Sequence, residues 1–160
     1  MASAQVGALT YETITMNYHH RFRVRASLAR VAEFHSHAAS MPAITPPPII
    51  VQVHHAPPIL ANGDEMYFTM WIGPLPVHWL ARIEAVSPAG FSDRQLLGPF
   101  LEWVHQHTFV AVDENTTEVR DEITLRLRPH PVWCPIGLGM RLGLPILFSF
   151  RAWKTKRMLE

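Results

Sequence analysis

One cysteine, Cys134, is present in 160 residues, so neither an internal disulfide nor a thiolate zinc cluster can form, and a reducing cytoplasm is the expected compartment. Charge is also scarce. Charged side chains make up 17% of the chain, and 14 basic residues nearly balance 13 acidic ones for a formal charge of +1. Such a balance builds no field that would collect nucleic acid. No Gly-x-Gly-x-x-Gly follows a strand pattern and no Gly-Lys-Ser/Thr occurs, so no nucleotide cofactor is expected. Residues 1–10 lack the basic and apolar regions of a secretory signal. The longest apolar stretch, residues 135–150, holds Arg141, Pro145 and three glycines and falls short of the ~20 residues a membrane span needs. No transmembrane segment is expected.

What remains is a chain 48% hydrophobic, long enough for one domain that buries roughly 70% of its unfolded surface. The expected organisation is a flexible extension over residues 1–12 and a single domain over residues 13–160. Ile14, Met16, Tyr18, His20, Phe22 and Val24 alternate with Arg21 and Arg23, a period of two that predicts a strand. Ser27 can cap a short helix over residues 28–35, and Thr45-Pro46-Pro47-Pro48 forbids a long helix after it. Residues 49–54, 66–72, 77–86, 91–97, 101–112 and 117–128 then read as strands separated by turn signals, which describes an antiparallel meander. Past Pro129, Pro131 and Pro135 the period changes: Leu142, Ile146, Phe150 and Trp153 recur every three or four residues. This predicts a terminal helix with that row facing the core. Gly137, Gly139, Gly143 and Pro145 should leave its first half bent, frayed or mobile. Its last turns carry Arg151, Lys154, Lys156 and Arg157, which suit the negative end of the helix dipole and also permit a transient contact with an anionic membrane.

Alternation places Trp103, His105, His107 and Phe109 on one strand face, with Leu101 and Ala111 at its ends. Phe91, Asp93, Gln95 and Leu97 share a face of the preceding strand, and Val119, Asp121, Ile123, Leu125 and Leu127 one of the following strand. A turn centred near Pro99 sets Asp93 opposite His105, and one near Glu114 sets Asp121 opposite His107; a register shift of two residues would cross these partners without moving any side chain to the other face. Two carboxylates and two imidazoles therefore converge inside, where an unpaired polar group costs about 1–3 kcal/mol and pairing is nearly obligatory. Three roles are open to them: a hydrogen-bond network fixing the register, the polar end of a ligand cavity, or chemistry. The chemistry would be a His-Asp acid/base pair or a two-histidine, one-carboxylate metal site, but no further spacing completes a zinc set and no metal is expected. The adjacent pairs His19-His20 and His54-His55 send their rings to opposite faces, and His35-x-His37 does so on a helix, so none of these forms a preformed site.

The run Phe91-x-Asp93-x-Gln95-x-x-Gly98-Pro99-Phe100-x-x-Trp103-x-His105-x-His107-x-Phe109, followed by Thr117-x-Val119-x-Asp121, resembles a signature of bacterial START-like proteins of the SRPBCC superfamily, a grouping that includes members labelled polyketide cyclase/dehydrase. Thr45-Pro46-Pro47 and Phe150-Arg151 extend the resemblance over most of residues 14–159. It implies an α+β helix-grip START-like fold: a curved antiparallel sheet of about seven strands wrapped around a long C-terminal helix, with two short helices after strand 1. It also implies an apolar cavity for a lipid, isoprenoid or polyketide-like ligand, and no catalytic set is carried over. The cavity is expected to be lined by Trp79, Phe91, Gln95, Trp103, His105, His107, Phe109, Asp121, Ile146 and Phe150. Binding of a small hydrophobic or amphipathic ligand without turnover is the expected activity. The alternatives are a cyclase/dehydratase of lyase type using His105, His107, Asp93 and Asp121, and a protein-interaction scaffold.

Overall fold

Residues 14–160 are described by the structure, a computed structural model; the extension expected over residues 1–12 lies outside the described residues. The alternating first segment forms β1 (Thr15–Val24), and Ser27 caps α1 (Leu28–Ser36) by accepting from the Arg30 amide. A single turn, α2 (Ser40–Ala43), and the proline run lead to the meander of β2 (Ile50–His55), β3 (Glu65–Ile72), β4 (Leu75–Ser87), β5 (Gly90–Leu97), β6 (Phe100–Asp113) and β7 (Thr116–Leu127). Helix α3 (Trp133–Leu159) ends the chain. The seven strands form one antiparallel sheet in the order β1-β7-β6-β5-β4-β3-β2. One sheet face carries Phe68, Trp79, Phe100, Trp103 and Leu125, and α3 closes over it with Leu144 and Phe148. A smaller cluster joins Val24, Phe109 and Val119 to Val31 of α1 and Leu159 of α3. This is the helix-grip architecture expected from the sequence.

Two details depart from the sequence reading. Leu101 does not share the inner face of β6, because the register shifts between Phe100 and Glu102; Ala111 keeps the register of Phe109 and pairs with the buried Thr117, but is itself exposed at the strand end. The shift turns Phe100 inward and leaves Leu101 exposed, because an extra residue reverses the alternation.

The second concerns α3. Its buried row is Gly137, Leu144, Phe148, Ala152, Thr155 and Leu159, whereas Leu142 is 69% and Ile146 74% exposed. The helix is apolar on both sides, so a period near 3.6 has two solutions. Small residues decide between them. A Cβ on Gly137 would lie 3.0 Å from Leu127 Cδ2 and 3.2 Å from Phe100 Cε1, so the glycine lets the helix approach the sheet. The helix is continuous through Pro145 and, at 27 residues, is long and apolar enough to cross a membrane by length and composition alone. Its inner row nevertheless packs on the sheet.

Candidate functional site

Between the sheet and α3 lies a cavity of about 430 Å³, within the 300–1,000 Å³ range of small-molecule sites. Its walls are mostly apolar: Phe68 and Trp79 from β3 and β4, Met41 and Ile44 from α2 and the residue after it, Met140 and Leu147 from α3. Polar groups gather at one end, where His35 of α1, Asp93 of β5, His105 and His107 of β6, and Arg151 of α3 all line the space.

The strand register builds this end. Asp93 pairs with His105 across β5 and β6, and His107 with Asp121 across β6 and β7. Gly90, at φ +137°, makes the first pairing possible, because any Cβ there would run into the His107 carbonyl. The His105 ring bridges both carboxylates: Nε2 donates to Asp121 Oδ1 at 3.1 Å and Nδ1 lies 3.1 Å from Asp93 Oδ2. Burial opposes a charge on this ring, but the hydrogen bonds and charges of Asp121 and Asp93 outweigh it, and its pKa is raised to about 9. His105 is thus an imidazolium at neutral pH.

His107 stands differently. Its Nδ1 lies 2.8 Å from Asp121 Oδ1 yet is out of line for a hydrogen bond. Burial, with the charge of His105 beside it at a ring separation of 3.9 Å, pushes its pKa down. His107 is therefore the neutral ring of the pair. Asp121 is buried beneath both, and against that burial the His107 and His105 rings hold its carboxyl well below the usual range.

Of the residues expected in the cavity, Trp79, Phe91, Trp103, His105 and His107 line it. Asp121 lies behind the two histidines rather than on the wall. Gln95 turns back on its own hairpin, donating to the Phe100 carbonyl and accepting from the Phe100 amide, and Phe109 packs in the smaller cluster with Val31. Ile146 faces outward, and Phe150 stacks on Trp153 instead of the sheet; both follow from the rotation of α3.

Two residues at the polar end were not foreseen. His35 is buried, donates from Nδ1 to the Val31 carbonyl at 2.9 Å and is pushed down to about 4 by burial and by His107, so its Nε2 is a lone-pair acceptor. The signal was the buried Val31 four residues earlier, which puts His35 on the same helix face. Arg151 lies one position from Phe150 in the quoted aromatic-arginine pair, and its own direction depended on the rotation of the helix.

A metal could draw on Asp93, His105 and His107, whose ligand atoms lie within 4.8 Å of one another. It would have to displace the proton that His105 holds between two carboxylates, so the donor set as folded favours the proton.

No protein-family model matches the chain, and no curated protein matches it in sequence. Solved structures do match it over nearly its whole length. A norcoclaurine synthase from Thalictrum flavum, in complex with a transition-state analogue, superposes with a TM-score of 0.67 at 14% identity, covering 94% of this chain and 97% of that one. An aromatase/cyclase from a Streptomyces species gives 0.67 at 14% identity, over 91% and 96%. A major latex-like protein from Panax ginseng gives 0.67 at 13% identity, over 91% and 98%. The chain has the helix-grip fold of these structures.

Proposed function

We propose that this protein binds a small hydrophobic or amphipathic ligand in the cavity between sheet and C-terminal helix, without turning it over. The observation that carries the reading is the cavity of about 430 Å³, whose walls are mostly apolar and whose His35, Asp93, His105, His107 and Arg151 gather at one end. Filling such a space removes apolar surface from water at roughly 25 cal/mol per Å² and leaves the polar end to orient the ligand. Native mass spectrometry of freshly purified protein, with extraction of whatever is bound, tests it directly. Fatty-acid, isoprenoid and polyketide-like probes should also raise the unfolding temperature, by a stabilisation of about 2.7 kcal/mol at a concentration a hundredfold above Kd. A protein that carries nothing from the cell and that none of these probes stabilises is not a ligand-binding domain.

A second reading, a cyclase/dehydrase-type enzyme, is favoured by His107. This ring is neutral, faces the cavity and has a buried carboxylate beside it, as a general base requires, whereas His105 is already protonated and suits only an acid. Under this reading a folded His107→Gln protein keeps its ligand and loses turnover by about 10²–10⁴-fold; under the binding reading there is no turnover to lose.

A further inference from the structure

Arg151 has no ion pair or hydrogen bond among the described residues, although it points from α3 into the polar end of the cavity. Its Nε is sealed from solvent without an acceptor, and its guanidinium carbon lies 5.2 Å over the Phe148 ring. Buried cations in folded proteins are ordinarily paired, because an unpaired one loses its hydration for nothing. The nearest opposite charges, Asp93 and Asp121, are already engaged by His105. A guanidinium presents five donors in a planar fork that matches two oxygens on one carbon.

We infer that the ligand is an amphipathic carboxylic acid, its carboxylate held by Arg151 at the polar end and its apolar body along Met140, Leu147 and Trp79. This rests on the ligand-binding reading and narrows it to a chemical class. Charge bookkeeping is consistent with it. Asp93, Asp121, His105 and Arg151 sum to zero, so a bound carboxylate leaves one negative charge. His107 and His35, the two neutral rings facing the same space, are available to take up a proton.

Matched probes of one chain length separate the two claims: dodecanoic acid, its methyl ester and dodecanol, titrated into wild type and Arg151→Met. The acid should bind wild type roughly tenfold to a hundredfold more tightly than the alcohol or ester, the range of a charged hydrogen bond, and Arg151→Met should abolish that preference while still binding all three. The variant should also be at least as stable as wild type when empty, since it loses an unpaired, half-buried charge whose Nε is sealed from solvent; a guanidinium serving only the fold would give a less stable variant. Equal affinity of wild type for acid, ester and alcohol overturns the carboxylate assignment and leaves the cavity reading standing. Binding of none of the three overturns both.

The outer face of α3 carries a second, independent inference. Leu138, Leu142, Ile146 and Trp153 are each at least 44% exposed and, with Phe150, form a stripe over about 22 Å of helix. Between residues 133 and 159 there is no acidic residue, and Lys154, Lys156 and Arg157 follow the stripe directly. Apolar side chains, an interfacial tryptophan and a cationic end together match one surface, and we propose that this face docks on anionic lipid.

Vesicles of equal parts phosphatidylglycerol and phosphatidylcholine should sediment the protein, whereas pure phosphatidylcholine should not. Lys154→Glu with Lys156→Glu should weaken binding about fivefold or more per site, and Leu142→Ser with Ile146→Ser should abolish it without lowering the unfolding temperature. Absence of binding to the anionic vesicles overturns the proposal. So does a dimer in solution that the Leu142 and Ile146 substitutions dissociate, which would assign the face to a second copy of the chain.

Discussion

Replacing Asp121 with alanine removes three things at once: the acceptor for His105 Nε2 at 3.1 Å, the oxygen 2.8 Å from His107 Nδ1, and the negative charge 3.9 Å from His20 Nδ1. The site it leaves is dry, with Asp121 and His105 each under 5% exposed. Breaking one side of a buried ion pair costs about 3–5 kcal/mol, because the remaining charge is stranded rather than merely released. That is a large part of the roughly 5–15 kcal/mol that holds a domain folded. Asparagine keeps the volume and the acceptor oxygen, so Asp121→Asn should lose less than Asp121→Ala. Urea unfolding of the three proteins measures the ranking. Histidine titration by NMR supplies a second readout: with only Asp93 left beside it, the His105 ring should titrate below about 9. An Asp121→Ala protein as stable as wild type, with His105 still titrating near 9, would refute the network.

Stability should be highest near pH 6.5, the ordinary histidine value, and should fall on both sides of it. His105, raised to about 9 because Asp121 and Asp93 outweigh its burial, contributes fully below its unfolded pKa and loses that contribution as pH rises through about 9. His35, lowered to about 4 by burial, and the depressed Asp121 act at the other limit: the first loses its contribution as pH falls below 6.5 toward 4, the second as pH falls below the carboxylate range, and unfolding midpoints across pH 4–10 would follow both limbs. Gly90→Ala should destabilise far more than Gly63→Ala: both positions have positive φ, but a Cβ at Gly63 meets open space and one at Gly90 meets the His107 carbonyl, so equal midpoints would show that the close approach does not matter. Phe148→Ala should cost about 3–5 kcal/mol and Ile146→Ala within about 0.5 kcal/mol, and the reverse order would mean that α3 is turned the other way.

The strands were legible because most carry a period-two signal, β2 a run of β-branched residues, and all are bounded by turn signals such as proline, glycine or Asn-Gly-Asp. The inward face was legible for the same reason, since a slip of one residue would turn Trp103 and Phe109 into water. A slip of two keeps the face and crosses the partners, so the pairing of Asp93 with His105 and of Asp121 with His107 is decided by where the hairpin turns fall. What alternation does not encode is where it stops. The extra residue at the start of β6 reverses Leu101 with no local sequence mark, because a bulge depends on how the hairpin end meets the rest of the sheet.

The rotation of α3 illustrates the deeper limit and decides the contents of the site. A helix with one apolar side announces its core face, but here Leu142, Ile146 and Phe150 form as good a row as Leu144, Phe148 and Leu159, and hydrophobicity alone selects the bulkier one. The sheet selects the other, because a row that includes Gly137 lets the helix come within contact of Phe100 and Leu127. Steric fit to a partner surface thus overrides the count of large residues. The consequence reaches the chemistry: turning Phe150 outward turns Arg151 inward, so the rotation that places a greasy stripe on the surface also places the unpaired cation in the cavity. A sequence that spends its apolar side chains on the outside of its core helix and a guanidinium on the inside is poorly arranged for stability alone. That arrangement is intelligible if the inside receives an acid and the outside a lipid surface.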